Sequence, residues 1–516
     1  MAKEFICCPG QITAQTDKGI VRGYKYEGIN IFKGLPYAKA LRFHAPEEAD
    51  TWEGEKSCTD FGPVCPLAYE TRPNGELGVP HRYWYQDEDC LNLNIWTPGL
   101  DDKKRPVMVW LHGGGFEAGS AIEQTAYDGD QMAKYGDVVV VGINHRLNIL
   151  GYFDLSAFGP EYANSANAGM DDIIAALKWV NKNIAAFGGD PDNVTLFGQS
   201  GGGMKITTLL QMPAADGLFH KGIVMSGVLG GALGSAQPLD TEAIAKGMME
   251  ELGLSDIHEL ETVPYHDLIA AYNKANPAKG MMMGFGPKKN DFYAGDPVND
   301  GAGFRPETAG IPLMVGSVYS EFLSFGGGQD TRAMTKEAGE AAVKGMLGEA
   351  ADQILPLYEA AFPERNPLDM LKLDFIFRSA ELPYMAMRSA LNDCTWSYLF
   401  NQDFHLDGIK QPWHCCDIPY IFHNCDITPM TQQEGVDKLE AEIFGAAIAF
   451  ARTGDPNCDA IPNWPCSKPD AEYTMFYQNE PVVRKNHDHE LMPVYMKVMG
   501  PMFAKMMAGA ADNIQH

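Results

Sequence analysis

Residues 187–202 read FGGDPDNVTLFGQSGG, and this stretch decides the fold that the sequence predicts. The apolar run VTLF at 194–197 has the length and β-branched content of a buried strand. It leads directly into GQSGG at 198–202, where glycines stand two positions before and two positions after Ser200. Such glycines let neighbouring chain pass without a Cβ clash, as a sharp strand-to-helix turn requires. An incidental serine in a glycine-rich turn would give the same letters.

Other segments extend this pattern along the chain. Apolar runs of strand length, without polar alternation, stand at 107–111, 138–141, 311–316 and 396–400. Between them, apolar residues recur at helical spacing over 168–186 and stop at a Gly-Gly-Asp-Pro breaker. Apolar strands separated by helices predict an α/β protein with a mostly parallel sheet covered on both faces. In such sheets the chemistry gathers at the carboxyl ends of the strands.

A second loop of interest is HGGG at 112–115, directly after the strand predicted at 107–111. Three consecutive glycines allow backbone N–H groups to point at one spot, which is what a tetrahedral oxyanion requires. A flexible glycine hinge is the competing interpretation. HGGG after one strand and G-x-S-x-G after a later strand form a specific combination, and it indicates nucleophilic catalysis by Ser200.

A serine hydroxyl is a poor nucleophile at neutral pH, so a base must lie within hydrogen-bond reach. Of the thirteen histidines, His405 and His414 both follow the strand predicted at 396–400, and spacing does not choose between them. Either one would also fit a surface or a core position. Glu321 follows the strand predicted at 311–316 and is the candidate acid, although a solvated surface carboxylate would look the same.

The composition is that of an ordinary globular protein, with 516 residues, 45% hydrophobic and 21% charged, and a mean hydropathy of −0.22. No internal repeat or long linker interrupts the chain, so a single domain over 1–516 is expected. The net charge is 40 − 68 = −28. A charge of that sign disfavours nucleic acid and anionic membrane surfaces as partners.

The sequence also bears on location and cofactors. The first twenty residues hold no apolar run of signal-peptide length, and no stretch approaches a membrane span. A cytoplasmic location is therefore expected, although a trimmed secreted form would look the same. The eleven cysteines are scattered without a C-x-x-C pair, which argues against a zinc site and for free thiols.

Several ordered motifs are similar to those of the type-B carboxylesterases, the family that includes the cholinesterases. Besides the stretch at 187–202, they are FKGLPYA at 32–38, EDCLNLN at 88–94, NHRL at 144–147 and FARTGDPN at 450–457. The resemblance runs almost from end to end. It implies the α/β-hydrolase fold, with a mostly parallel central sheet flanked by helices on both faces and helical insertions over the active site. It also implies hydrolysis of carboxylic esters.

The resemblance assigns the residues that spacing left open. Glu321 closes the segment VGSVYSE, which is similar to the acid loop of the family. His414 opens HCCDIPYIF, which is similar to the family's base motif, so His414 is favoured over His405. Ser200 is then the nucleophile of a Ser-His-Glu triad.

The family's oxyanion donors correspond here to Gly114, Gly115 and Gly201. Ser226 matches a family serine that supports the acid from behind.

Departures from the family pattern narrow the range of substrates that the resemblance implies. The residue after the nucleophile is usually Ala and here is Gly201, which keeps its N–H. Gln199 replaces the glutamate usual in cholinesterases, and Pro80 stands where an aromatic residue would hold a choline group. Both changes argue against choline esters. Cys65 and Cys90 resemble the family's first disulfide pair, so their sulfurs are expected to be close, with no bond assumed.

The predicted mechanism is two-step acyl transfer through an acyl-enzyme, with no metal or organic cofactor. Neutral esters with an apolar or aromatic portion are the predicted substrates, hydroxycinnamoyl esters being one example. Phe116, Phe322 and Trp413 flank catalytic positions and are candidates for an aromatic wall. The methionines at 281–283 would suit an adaptable apolar pocket, but a core segment or surface loop is the more ordinary interpretation.

Two alternatives stay open at this level. An amide or carbamate hydrolase would use the same triad. A non-catalytic binding protein on this fold is disfavoured, because Ser200, Glu321 and His414 are all present. The expected partner is a small-molecule ester, bound by a monomer or a homodimer.

Overall fold

The computed structural model describes residues 3–67, 81–228, 239–276, 284–325, 329–406 and 408–501. Within those residues the strands, numbered in chain order, are β1 Phe5–Ile6, β2 Thr13–Gln15, β3 Ile20–Arg22, β4 Tyr24–Tyr26, β5 Ile29–Pro36, β6 Ala38–Lys39, β7 Glu47–Glu48, β8 Glu55–Ser57, β9 Asn92–Thr97, β10 Arg105–Leu111, β11 Val139–Ile143, β12 Gly189–Gln199, β13 Lys221–Met225, β14 Leu313–Val318, β15 Thr395–Phe400, β16 Tyr473–Tyr477 and β17 Val482–Lys485.

The helices of the same residues surround these strands. They are α1 Asp130–Gly136, α2 Asn148–Tyr152, α3 Ala168–Asn183, α4 Gly201–Leu209, α5 Thr241–Leu252, α6 Tyr265–Ala275, α7 Lys336–Leu347, α8 Ala351–Ala361, α9 Arg378–Leu391, α10 Ile418–Phe422 and α11 Val436–Thr453, and residues 491–501 are helical as well. None of the helices in the described part of the chain is long and apolar enough to cross a membrane.

The large sheet has the strand order β1-β4-β5-β9-β11-β10-β12-β13-β14-β15-β16-β17. Neighbours from β11 through β16 are parallel, while the N-terminal strands and β17 pair antiparallel at the two edges. Helices cover both faces, as the side chains of β10 show. Val107, Val109 and Leu111 belong to one apolar cluster with residues of α3 and α4, whereas Met108 and Trp110 belong to another with residues of α1 and α11. The predicted α/β architecture is confirmed.

The predicted strands are present with shifted ends. β14 begins at Leu313 rather than at residue 311. The physical reason is Pro312, which has no N–H to give to a central ladder, although its carbonyl accepts from Gly222 N–H at 3.0 Å. β12 begins at Gly189, where the sequence predicted a breaker, because Gly189 pairs with Arg105 across an irregularity in the ladder.

The sheet brings the candidate residues to one edge. The HGGG loop follows β10, Ser200 follows β12, and Ser226 follows β13. Glu321 lies just beyond β14, and His414 lies in the segment after β15. Because these five strands are parallel, their carboxyl ends meet at the same edge, as the sequence predicted for a mostly parallel sheet.

Candidate active site

Ser200 occupies a strained turn between β12 and α4. Its backbone has φ 56° and ψ −123°, a conformation that costs on the order of 1–3 kcal/mol for a residue with a side chain. The flanking glycines are required by close approach, because a Cβ on Gly202 would lie 1.8 Å from the carbonyl oxygen of Leu111. The N–H of Ser200 donates to the carbonyl of Met225 at 2.8 Å, which ties the turn to β13. The serine is thus held where the sequence predicted it.

Glu321 and His414 form a buried carboxylate–imidazole pair. Nδ1 of His414 is hydrogen-bonded to Oε2 of Glu321, and the His414 N–H donates to the Glu321 carbonyl at 3.2 Å. The other carboxylate oxygen, Oε1, accepts from the Ser226 hydroxyl at 2.7 Å and from the Val318 N–H at 2.9 Å. Burial raises the pKa of Glu321 to about 8, against the effect of these two donors.

The pair lies beside the serine turn. Nε2 of Gln199, the residue before Ser200, lies 3.4 Å from Nδ1 and 3.3 Å from Nε2 of the His414 ring. The side-chain oxygen Oε1 of Gln199 accepts from the thiol of Cys415 at 2.8 Å. His405, the competing histidine, is exposed, and its backbone N–H donates to Gln433. The structure therefore places His414, and not His405, next to the acid and the turn.

In the HGGG loop the carbonyl oxygens accept hydrogen bonds from groups of the protein, while the N–H groups of two of the glycines do not donate to any group that the structure describes. Gly113 O accepts from Nδ1 of His112 at 2.9 Å, and Gly114 O accepts from the Ala118 N–H at 3.0 Å. Gly114 and Gly115 have φ values of 85° and 63°, which favour glycine. Among the residues that the structure describes, no acceptor is found for the N–H of Gly114 or Gly115.

The loop lies directly against the serine turn. A Cβ on Gly113 would lie 3.5 Å from Cβ of Ser200. A Cβ on Gly201 would lie 2.2 Å from the carbonyl oxygen of Gly115. Gly201 is the first residue of α4, so its N–H belongs to the helix end that has no intrahelical acceptor. The three predicted oxyanion donors are therefore neighbours in space.

The three aromatic residues predicted to line the site differ in exposure. Phe322 is 41% exposed, and its ring centroid lies 4.2 Å from that of His414. Phe116 is buried against Tyr152, with ring centroids 4.9 Å apart. Trp413 is 1% exposed and packs on Phe404 at 4.3 Å. Trp413 is thus a core residue, and its prediction as a substrate contact is corrected by its burial.

Other sequence predictions concern cysteines, metals and methionines. Cys65 and Cys90 are buried free thiols. A hydrogen bond with Cys65 raises the pKa of Cys90, which agrees with the expected proximity of the sulfurs. No cluster of His, Cys, Asp and Glu suited to a metal ion occurs among the described residues. Pro80 and the methionines at 281–283 lie outside the described residues.

Two buried carboxyls near Glu321 were not singled out by the sequence. Burial, and then the charge of Glu321, raise the pKa of Asp374 and of Asp417 to about 7. Asp374 accepts backbone hydrogen bonds from Phe377 and Arg378 at the start of α9. Asp417 stands in the motif that begins at His414, so its position three residues on was the available signal.

Lys205 is a further residue that sequence reasoning missed. It lies on α4 and is buried, and its Nζ donates to the carbonyls of His112 and Gly115 at 3.1 and 2.9 Å. The sequence did carry a signal for this residue. Lys205 lies one turn into the helix that follows the serine turn, where a helix packed against a buried sheet is expected to carry apolar side chains.

The comparisons with known proteins identify relatives of the whole chain. The model of the carboxylesterase family matches residues 10–492. Para-nitrobenzyl esterase of Bacillus subtilis (strain 168) is 33% identical over 494 residues, which cover 92% of this chain and 96% of that protein. Phenmedipham hydrolase of Pseudarthrobacter oxydans is 33% identical over 487 residues, covering 89% and 93%. A solved esterase from anaerobic Clostridium hathewayi, which can hydrolyze aliphatic aromatic polyesters, superposes with a TM-score of 0.90 at 46% identity, covering 96% of this chain and 100% of that one.

Proposed function

This chain belongs to the carboxylesterase family, has the α/β-hydrolase fold and is a carboxylic ester hydrolase, and we propose that it acts through a triad of Ser200, His414 and Glu321. The observation that carries the proposal is the buried Glu321–His414 pair, whose imidazole lies against the residue that precedes the strained serine. A carboxylate bonded to Nδ1 leaves Nε2 as the nitrogen that accepts the serine proton.

In the first step the Ser200 hydroxyl attacks the ester carbonyl while His414 takes its proton. Glu321 holds the imidazole in the required tautomer and stabilises the imidazolium. The N–H groups of Gly114, Gly115 and Gly201 stabilise the oxyanion, and the loss of one such donor typically costs about 3 kcal/mol. The N–H groups of Gly114 and Gly115, which find no acceptor within the described part of the chain, support this role.

In the second step His414 protonates the leaving alcohol, and water then attacks the acyl-enzyme by the same route. Besides that water, the proposed steps use side chains and backbone amides of this chain. Ser226 helps to orient the Glu321 carboxylate by donating a hydrogen bond to it.

We propose neutral esters with an apolar or aromatic portion as substrates. Gln199 brings no negative charge to the His414 ring, so the site offers little attraction to a cationic alcohol. Phe322 exposes an aromatic ring beside the base, which suits an apolar acyl or alcohol group. The activity of the related Clostridium hathewayi esterase on aliphatic aromatic polyesters supports the same class.

The decisive experiment replaces the nucleophile. Ser200→Ala should lower kcat for a p-nitrophenyl ester by a factor on the order of a million. Ser389→Ala is the matched control, because that buried hydroxyl donates to Met385 in α9 and touches none of the triad. Both variants should keep the thermal midpoint of the wild type within a few degrees. Near-normal turnover by folded Ser200→Ala would refute the triad.

A substrate panel run beside these variants separates ester from amide or carbamate hydrolysis. It should contain ester and amide pairs with the same acyl group, and esters whose acyl and alcohol parts vary independently. We expect kcat/KM to be higher for each ester than for its amide. The reverse order would favour the alternative with the same residues. The single domain, the cytoplasmic location and the monomeric or dimeric state stay predictions.

A further inference from the structure

Lys205 places an ammonium group beneath the oxyanion loop. The residue is buried on α4, and Nζ donates to His112 O at 3.1 Å and to Gly115 O at 2.9 Å. The same nitrogen lies 5.7 Å from the centroid of the Phe116 ring. Its polar contacts are therefore made to the backbone of the loop.

A buried ammonium group is costly unless hydrogen bonds compensate it. Burial lowers the pKa of Lys205 to about 7, and the carboxylate of Glu123 partly opposes that effect. The imidazoles of His112 and His145 are stacked with ring centroids 4.9 Å apart, and burial and then the charge of Lys205 lower the pKa of both. Burial therefore makes the charged form of Lys205 costly, and the hydrogen bonds to the two carbonyls compensate part of that cost.

The two acceptors bracket the glycine run. His112 O belongs to the peptide before Gly113, and Gly115 O belongs to the peptide after the run. Gly113 O and Gly114 O are taken by His112 Nδ1 and by the Ala118 N–H. Each carbonyl from residue 112 to residue 115 therefore has a donor within the protein. In a trans peptide the N–H points away from the carbonyl of the preceding residue, so the N–H groups of Gly114 and Gly115 point away from the donors that hold Gly113 O and Gly114 O.

An independent observation shows how tightly the loop is held against α4. A Cβ on Gly201 would lie 2.2 Å from the same Gly115 oxygen that Lys205 binds, and 2.5 Å from Gly115 N. Contacts of that length with backbone atoms do not occur in real proteins. The carbonyl that the lysine holds therefore occupies the space that a side chain at position 201 would need.

We propose that Lys205 is a positioning residue of the esterase reaction, which holds both ends of the 112–115 loop so that the Gly114 and Gly115 N–H groups meet the oxyanion. The inference rests on the proposed function and deepens it. It predicts a loss that falls on the transition state, because the oxyanion forms only when the ester carbonyl is attacked. Ground-state binding of the ester should change little.

The test compares Lys205→Met and Lys205→Gln with Lys221→Met. Glutamine keeps N–H donors without the charge and serves as the milder variant if methionine prevents folding. Lys221 is the matched control, because it is also a buried lysine. It lies at the amino end of β13, and its Nζ binds Asn193 of β12. Each variant is assayed with a p-nitrophenyl ester for kcat and KM, and with a trifluoromethyl ketone, whose serine adduct carries an oxyanion. Thermal midpoints are measured in parallel.

For Lys205→Met we expect kcat to fall about 100-fold, since a small misplacement of catalytic groups has effects of that size. KM should stay within about threefold, and the inhibition constant of the ketone should rise in step with the loss of kcat. Lys205→Gln should lie between the wild type and methionine, and Lys221→Met should match the wild type. A folded Lys205 variant with unchanged kcat, or with a loss of kcat that the ketone does not share, overturns the proposal.

The outcome is separable from that of the proposed triad. If Ser200→Ala is inactive and Lys205→Met behaves like Lys221→Met, only the role of Lys205 fails. If Ser200→Ala retains activity, the triad fails whatever the lysine variants do.

Discussion

The hydroxyl of Ser226 lies 2.7 Å from Oε1 of Glu321, and the two residues share left-handed backbone, with φ values of 46° and 45°. Such conformations are strained for residues with side chains and are retained where the surroundings enforce them. Here a hydrogen bond between neighbouring strands holds the Ser226 backbone, because the N–H of Ser226, just after β13, donates to Gly316 O in β14 at 2.6 Å. The carboxylate of the acid is thus oriented from two adjacent strand ends.

Ser226→Ala should move the acid limb of the kcat/KM profile to higher pH. The hydroxyl stabilises the ionised carboxylate and so lowers the pKa of Glu321, which burial raises to about 8. Without it, the proton shared by Glu321 and His414 leaves at a higher pH. A hydrogen bond to a charged group accounts for about one pH unit. The measurement is kcat/KM for a neutral ester between pH 5 and 9.

Ser317→Ala is the control for that shift. Ser317 lies on β14 and donates at 3.1 Å to Glu381, another buried carboxyl, but not to Glu321. Its acid limb should coincide with that of the wild type. If both serine variants shift equally, the effect comes from general loosening of β14 and not from the Ser226 contact.

Gly201→Ala should lower kcat even though alanine is the residue usual at this position in similar esterases. The new Cβ would meet the Gly115 carbonyl oxygen at 2.2 Å and would push the oxyanion loop away. We expect a loss of kcat of at least about tenfold with little change in KM. Gly345→Ala is the control, because a Cβ there, in exposed α7, meets nothing. A normal kcat for Gly201→Ala would contradict the prediction, because it would mean that the loop accommodates the new Cβ without misplacing its N–H groups.

Gln199→Glu should increase the preference for cationic esters. A carboxylate in place of the amide would lie about as close to the His414 ring, which Gln199 Nε2 approaches to 3.3 Å. The added charge favours a cationic alcohol group and the imidazolium, so we expect a relative gain of about tenfold for butyrylcholine over its neutral 3,3-dimethylbutyl analogue. The acid limb should also move to higher pH.

The control for the charge is Gln478→Glu, which adds the same charge at a position that accepts from Asn401 away from the triad. Its selectivity between the two butyrates should equal that of the wild type. A gain in both variants would point to the net charge of the whole protein, already −28, as the cause.

Phe322→Ala should weaken the binding of aromatic esters selectively. The ring is 41% exposed and lies 4.2 Å from that of His414, so it is available to stack on a bound aromatic group. A contact of this kind is worth about 0.5–1.5 kcal/mol, which is about a twofold to tenfold change in KM. Ethyl butyrate should be affected less than an ester of a hydroxycinnamic acid. Trp413→Phe should lower the thermal midpoint and leave the ratio of the two KM values unchanged.

The central strands were predictable because each is an apolar run of strand length with both faces buried. β10, β11 and β15 were found close to their true ends for that reason. The short strands near the N-terminus, such as β2 and β8, carry polar residues and little periodicity. Their formation depends on the neighbours they pair with, and this tertiary context was not visible in the local sequence.

The residues of the site that belong to local sequence motifs were predictable. Ser200 and the HGGG loop are such motifs, because a tight turn and converging N–H groups require glycines at fixed spacing. Glu321 and His414 are 93 residues apart, and only the packing of β14 beside β15 brings them together. The contact of Lys205 with the loop, 90 to 93 residues away, likewise has no local signature.

Arg378→Met should lower the thermal midpoint strongly at neutral pH, and less so in acid. Arg378 is buried at the start of α9, where it binds Asp488 at 2.7 Å and Glu472 at 2.8 Å. Burial alone would raise the pKa of Glu472, but the Arg378 charge and further hydrogen bonds hold it well below its ordinary range. Breaking such a buried pair typically costs about 3–5 kcal/mol, because it leaves an uncompensated charge.

The pH dependence of that loss follows from the direction of the shifts. A carboxyl whose folded-state pKa is depressed stabilises the protein above its unfolded pKa, and this contribution disappears as the pH falls through the folded pKa. In Arg378→Met the same carboxyls are buried without a cation, so their pKa values rise and protonation relieves the cost. The difference in midpoint between variant and wild type should therefore shrink from pH 7.5 to pH 5. Arg22→Met is the control: it removes a partly exposed arginine near Glu55 and should cost less than about 1 kcal/mol at either pH. A difference in midpoint between Arg378→Met and the wild type that widens in acid would contradict the assignment of charge to this network.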